Sequence, residues 1–171
     1  MANKKATAPA TYRYDDLVRR VSLIGHLSRS ESAPILEVGA PWPSKVLSPN
    51  TPVHFRTRAA AILANKLQCR RDFLEQLQDP AAAQAAHTLR HSTEPLWIGI
   101  LLVAPDRKRR DLDNLVARLK STLDSLADCL GINDHRFRVI CARLAQATHP
   151  GGIVRIAVSQ ATHDDSATPE S

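Results

Sequence analysis

Aromatic side chains are scarce, at 4% of the chain, and that excludes base stacking on an aromatic platform as the main way of holding a nucleic acid. Cysteine is scarcer still. Cys69, Cys129 and Cys141 stand far apart with no Cys-x-x-Cys pair. So sparse and odd a set excludes a disulfide framework and a thiolate zinc site; it reads as three reduced core thiols of a cytoplasmic protein. No apolar run approaches the ~18–20 residues that a membrane span needs. The lysines near the N-terminus are not followed by the apolar stretch of a secretory signal. No membrane partner is expected, and no internal repeat is evident.

Positive charge is what the chain has in excess. Lysine and arginine number 23 against 17 acids, a formal net charge of +6 with a pI near 9.7. Such a balance points to an anionic partner, nucleic acid first. With 171 residues at 43% hydrophobic, the chain can build one domain with a real core and tails.

Residues 1–32 read as a disordered start followed by an appended helix over Tyr12–Leu27. There Leu17, Val21, Ile24 and Leu27 recur at helical spacing and Asp15 or Asp16 can cap the start. Residues 33–159 form the domain, and residues 160–171 a disordered acidic tail. Pro34–Val38 predicts a short strand. Pro41, Pro43 and Pro49 then exclude helix and central strand, leaving a stiff extended loop. In it Lys45, Ser48 and Asn50 either touch phosphates and neighbouring acids or merely shape a turn. Arg58–Leu77 predicts a long helix from Ile62, Leu63, Leu67, Phe73, Leu74 and Leu77. Its cations Arg56, Arg58, Lys66, Arg70 and Arg71 are a DNA-facing stripe or a solvated face.

Asp79-Pro80 breaks that helix, and a short one over Ala81–Leu89 follows. His87 and His91 fall four apart but lack the Glu-x-x-His context of a metal helix, and read as structural. Leu96–Ala104, almost continuously apolar, predicts a strand covered on both faces. Leu112–Leu130 predicts one long helix. Arg136–Leu144 and Gly152–Val158 predict strands joined as an antiparallel hairpin by the turn at 148–152. The order β-α-β-α-β-β, with the appended N-terminal helix, is an α+β fold with a small mixed sheet.

The stretch that carries chemistry is Pro105–Asn114, between the apolar strand and the long helix. Four consecutive cations, Arg107, Lys108, Arg109 and Arg110, suit a phosphate backbone, which they would position without reading bases. Asp111, Asp113 and Asn114 follow at once. Phosphodiester hydrolysis needs charge stabilisation and an activated water, and Mg²⁺ supplies both when carboxylates hold it. Asp111 and Asp113 project to one side of an extended chain and can share a cation; the other reading is that they cap the following helix. Asp134, in Gly131-Ile-Asn-Asp-His135, is a third acid that the topology can return to the cleft. On a helical wheel started at Asp113, the apolar positions cluster at about 200–300°, while Lys120 and Asp124 fall within about 20° of Asp113. A lysine there can offset transition-state charge.

These residues resemble the RusA family of Holliday-junction resolvases. The resemblance rests on Arg109–Leu115 (Arg-Arg-Asp-Leu-Asp-Asn-Leu), on a helix with Lys120 and Asp124, and on Gly131 with Asn133-Asp134. The segments at 41–45 and 47–55 are similar to the N-terminal loop of phage-type members, and the likeness spans about residues 34–158. It implies a homodimer that binds four-way DNA junctions and nicks two opposed strands symmetrically in recombination and repair, using Mg²⁺ or Mn²⁺. An isologous dimer presents two identical sites to such a two-fold substrate. It also implies metal ligation by Asp111, Asp113 and Asp134, a functional Lys120, and DNA contacts from Lys45, Asn50, Arg107, Lys108, Arg109, Arg110 and Asn114. Two positions depart from the pattern. Asn133 stands where the family carries an acid. Counted forward from Asp113, Ala117 stands where the motif lysine belongs, and Lys120 takes that place only when counted back from Asp124. A branched-DNA-binding module with weakened chemistry is therefore the alternative.

Overall fold

The computed structural model describes residues 34–160, except the side chains of residues 139–141 and 147. The helix read over Tyr12–Leu27 and the acidic tail lie outside the described residues. The elements are β1 (Leu36–Pro41), α1 (Phe55–Gln76), α2 (Pro80–His91), β2 (Leu96–Ala104), α3 (Leu112–Arg118), α4 (Lys120–Leu130), β3 (Phe137–Thr148) and β4 (Ile153–Gln160). Single 3₁₀ turns occupy Lys45–Leu47 and Asp134–Arg136. No helix among the described residues is long and apolar enough to cross a membrane. The fold is α+β with a mixed four-stranded sheet, in the order β1-β4-β2-β3.

The strands β1 and β4, and β4 and β2, pair antiparallel, while β2 and β3 pair parallel. The expected β3–β4 hairpin therefore does not form. The turn reverses the chain, but β2 lies between the two strands. The connection crosses the end of β2, where the His149 N–H donates to the Ala104 carbonyl (2.9 Å), and it bends on Gly151 and Gly152 at φ 83° and 70°. Burial of β2 on both faces explains the insertion: Leu101 and Leu102, on opposite faces, are both fully buried, so β2 gains by having a paired strand on each side.

The four α-helices among the described residues pack on one face of the sheet. Cys69 and Phe73 of α1, Ala86 and Leu89 of α2, Leu115 of α3, and Leu123, Leu126 and Leu130 of α4 share a core with Leu36 and Val38, Ile98 and Ile100, and Val154 and Ile156. On α1 the wheel reading needs correcting. Leu63, Leu67 and Leu74, expected in the core, are exposed. The inner face carries instead Cys69 and Phe73, together with Asn65, whose amide donates to Ser121 Oγ (2.9 Å) and Thr122 Oγ1 (3.1 Å) on α4. Two apolar faces at helical spacing coexist on this helix, and spacing alone does not rank them.

Several boundaries differ as well, β3 running on to Thr148 and α1 starting at Phe55 among them. Strand β1 runs through Pro41, which an edge strand tolerates because one row of its backbone groups has no ladder partner. The helix read over Leu112–Leu130 is broken at Leu119, whose N–H donates to Val116 O (2.9 Å) in a 3₁₀ step between α3 and α4. The helix ends are otherwise conventional. Asp79 caps α2 ahead of Pro80, and Gly131, at φ 66°, closes α4.

The outer edge of β1 is satisfied by a side chain. Gly39 N–H donates to Gln76 Oε1 (2.7 Å), and Gln76 Nε2 donates to Gly39 O (2.8 Å). A glutamine amide thus pairs with the strand as another strand would. Gln76→Ala leaves both groups without this partner, and we expect a loss of about 1–3 kcal/mol in urea unfolding; an unchanged midpoint would mean that water replaces the amide at no cost.

Candidate active site

The cation run and the acids sit where β2 ends and α3 begins. Asp111 is the N-cap of α3: its Oδ1 accepts from the Asp113 N–H (3.0 Å) and its Oδ2 from Asn114 Nδ2 (2.7 Å). Asn114 Oδ1 in turn accepts from Asn50 Nδ2 (2.5 Å). The proline-rich loop is thereby tied to the acidic turn through an amide–amide–carboxylate chain. Asp111, Asp113 and Asn50 are exposed. Ser48 is buried, and is therefore no phosphate contact.

The four cations divide. Arg107, Lys108 and Arg109 are exposed. Arg110 is folded inward: its guanidinium donates to the Asp106 and Lys108 carbonyls (3.0 and 2.8 Å), pairs with the Asp106 carboxylate, and lies over the Trp42 ring at 5.5 Å. Arg110 thus shapes the turn; Lys108 Nζ also lies 3.9 Å from the Asp106 carboxylate, and Arg107 and Arg109 are exposed beside it. The Lys108 backbone N–H and then the Arg110 side chain hold the Asp106 carboxyl below its usual value.

Asp134 stands in a second cluster. Lys120 Nζ bonds both Asp124 Oδ1 (2.6 Å) and Asp134 Oδ2 (2.9 Å), and Lys66 of α1 reaches Asp124 Oδ2 at 3.1 Å. These four residues, with Asp128 and Asn133, line a cleft of about 360 Å³. A smaller hollow of about 180 Å³, lined in part by Leu47 and Ala117, shares Lys66, Lys120 and Asp124. So the helix break at Leu119 accompanies a Lys120 turned to Asp124 and Asp134, and Asp113 is not among its partners. Among the described residues no three of Asp, Glu, His or Cys converge as a metal cage. The Asp111 carboxylate accepts one bond per oxygen and so keeps lone pairs that a hard cation could use. Asp134 is held by Lys120 and does not complete a cage.

Wheel arithmetic could not find Lys66, because its partner lies on another helix. Arg58 is likewise removed from the supposed DNA stripe, donating to the carbonyls of Thr51 (2.6 Å) and Pro49 (3.3 Å). His87 and His91 stack ring on ring at 4.1 Å.

Charge in the second cluster is coupled. Burial raises the Asp124 carboxyl, but bonds from Lys120 and Lys66 outweigh it and hold it below 3.8. Lys120 is pushed above 10.5 by its bond to Asp124 and then by Asp134. The depressed Asp124 contributes stability that is complete above about pH 4 and lost as pH falls through its lowered value. The raised Lys120 contributes stability that is complete below its unfolded value and lost as pH rises through its folded one. Asp124→Asn is expected to unfold more easily than the wild type between about pH 5 and 9, with the gap closing as acid carries Asp124 through its lowered value. Guanidinium titrations across that range check this, and a gap that persists in acid would exclude the ion pairs as its source.

No family model matches this chain. Over 97 residues it is 37% identical to a protein of Xylella fastidiosa strain Temecula1 that bears the description "uncharacterized protein"; the match takes in 57% of this chain and 59% of that protein, so the chain spans less than two thirds of the relative's length.

Proposed function

We propose that this protein is a metal-dependent, structure-selective endonuclease that binds four-way DNA junctions as a homodimer and nicks opposed strands. The observation that carries the reading is the junction between β2 and α3. Three exposed cations, Arg107, Lys108 and Arg109, run directly into Asp111, Asp113 and Asn114, and Asn50 braces that turn from the proline loop. The cations hold phosphates on either side of the reacting one. Asp111 and Asp113 would hold Mg²⁺ or Mn²⁺, which when bound lowers the pKa of water and offsets phosphate charge. Asn114 fixes the Asp111 rotamer, and Lys45 adds a cation from the loop. Lys120 belongs to the second cluster, and its release from Asp134 would free that carboxylate. The exposed Leu63, Leu67 and Leu74 on α1 offer a second copy an apolar strip, which supports the dimer.

A second reading, a branched-DNA-binding module with weak or no chemistry, is favoured by the Lys120–Asp134 bond, which holds the third acid away from the other two. One experiment separates them: a synthetic four-way junction and a linear duplex of the same sequence, incubated with and without Mg²⁺ or Mn²⁺. Paired nicks confined to the junction and to the metal-containing lanes are the expected outcome. Tight, salt-sensitive junction binding without nicks would establish the module, and no salt-dependent DNA affinity would exclude both.

A further inference from the structure

Phe55, the first residue of α1, is 69% exposed, more than any other large apolar side chain among the described residues. Its place on the helix makes that exposure unusual. At 100° per residue from Phe55, Phe73 falls at about 0°, Ile62 at about −20°, Lys66 at about 20° and Cys69 at about −40°. Phe73 and Cys69 are fully buried, so Phe55 stands on the inward side of α1. Beneath this end of the helix lies the candidate site. Ile62 and Lys66 line the hollow of about 180 Å³ together with Ala117, Arg118 and Lys120. Leu63, Leu67 and Leu74 fall at about 80–120°, so Phe55 is not part of the strip offered to a second copy.

The ring is also held in place. His54 caps α1, its Nδ1 accepting the Arg56 N–H (3.3 Å). The His54 imidazole lies 4.6 Å from the Phe55 ring at a tilt of 39°, and the Arg56 guanidinium stands 5.7 Å from the ring centre. One turn on, Arg58 donates to the carbonyls of Thr51 and Pro49, on either side of Asn50. Asn50 in turn bonds Asn114, which bonds Asp111. One short loop thus ties the start of α1 to the acidic turn.

We propose, on the footing of the junction endonuclease above, that Phe55 stacks on a base-pair face laid open at the branch point and so makes the protein choose branched DNA over linear duplex. Stacking runs unbroken along a linear duplex and leaves no base face open within it. A four-way branch point interrupts the stacking, and the base pairs that border it present such faces. A phenyl ring covers one whatever the base. The scarcity of aromatics is no obstacle, because cations supply the bulk of the affinity and a single ring supplies the preference. Arg56, beside the ring, would meet the phosphate of the stacked nucleotide.

The test compares dissociation constants of the full chain for a labelled four-way junction and for a linear duplex of the same sequence, by fluorescence anisotropy without divalent metal, so that no step depends on cleavage. Phe55→Ala should weaken junction binding about 10–100-fold and leave duplex binding within about twofold. Phe55→Leu, apolar but without a ring, should lose the preference as well. Phe55→Trp should keep it, and its added emission should be quenched by the junction and not by the duplex. A Phe55→Ala chain that prefers the junction as strongly as a junction-preferring wild type would overturn the role of Phe55 and leave the endonuclease reading standing. A wild type with no preference for the junction would overturn both. Retained preference in Phe55→Leu, or an unquenched Phe55→Trp, would exclude stacking. A shift of Phe55→Ala to a smaller species in sedimentation would assign the ring to a subunit contact and overturn the proposal.

Discussion

Asp113→Asn should lower metal-dependent junction cleavage about a thousandfold, roughly 4 kcal/mol of barrier, while junction affinity holds or rises. The Asp113 side chain is exposed, and the helix uses its N–H for capping, not its carboxylate, so the substitution spares the fold. It removes one hard-oxygen ligand and one negative charge next to the phosphates, and these act in opposite directions on chemistry and on binding. Asp111→Asn sharpens the comparison, because asparagine caps a helix about as well as aspartate. If Asp111 serves only α3, its amide variant melts and cuts as the wild type does. If it holds the metal, cutting collapses with the melting temperature unmoved. Gel-based cleavage and binding assays on one junction, run beside thermal melts, distinguish these outcomes. Retained cleavage in both variants would sink the nuclease reading as placed on this turn.

Local signals carried most of the architecture, and long-range choices were not among them. Leu96–Ala104 could be read to the residue because an unbroken apolar run bounded by Pro95 and Pro105 permits little else. The α2 start was marked by Asp79-Pro80 and the α4 end by Gly131. Pairing was another matter. A Pro-Gly-Gly turn says that the chain reverses and says nothing about which strand lies beside which, so β2 between β3 and β4 was invisible. The break at Leu119 was equally hidden, since leucine is a good helix former and the apolar spacing runs through it unbroken. That break matters for the candidate site: on a continuous helix Lys120 shares a face with Asp113, whereas in the structure its ammonium is spent on Asp124 and Asp134. The Asp-Leu-Asp-Asn turn left two readings open, a cation site and a helix cap, and in the structure Asp111 caps α3. Lys66 and Arg110 were not legible, because a cation in a basic stretch looks the same whether it faces solvent or folds back.

Gly152→Val should destabilise the protein by roughly 2–5 kcal/mol and weaken junction binding together with it. Gly152 has φ 70°, and a Cβ there would meet the Trp42 ring at 2.8 Å. The ring cannot withdraw without consequence, since its face carries the Arg110 guanidinium, which in turn closes the Asp106–Arg110 turn. Pressure at one glycine is thus passed through an indole and a guanidinium to the cations that precede the acids. Gly151→Val supplies the control. Gly151 has φ 83°, and a Cβ there would meet nothing within 4 Å, so the variant carries the backbone strain alone, about 1–3 kcal/mol. The excess cost of Gly152→Val over Gly151→Val measures the Trp42 contact, and Trp42→Ala in the Gly152→Val background should recover much of that excess. Equal costs for the two glycine variants would show that Trp42 moves freely, and would leave Arg110 to shape the turn through its hydrogen bonds to Asp106 and Lys108 without help from the ring.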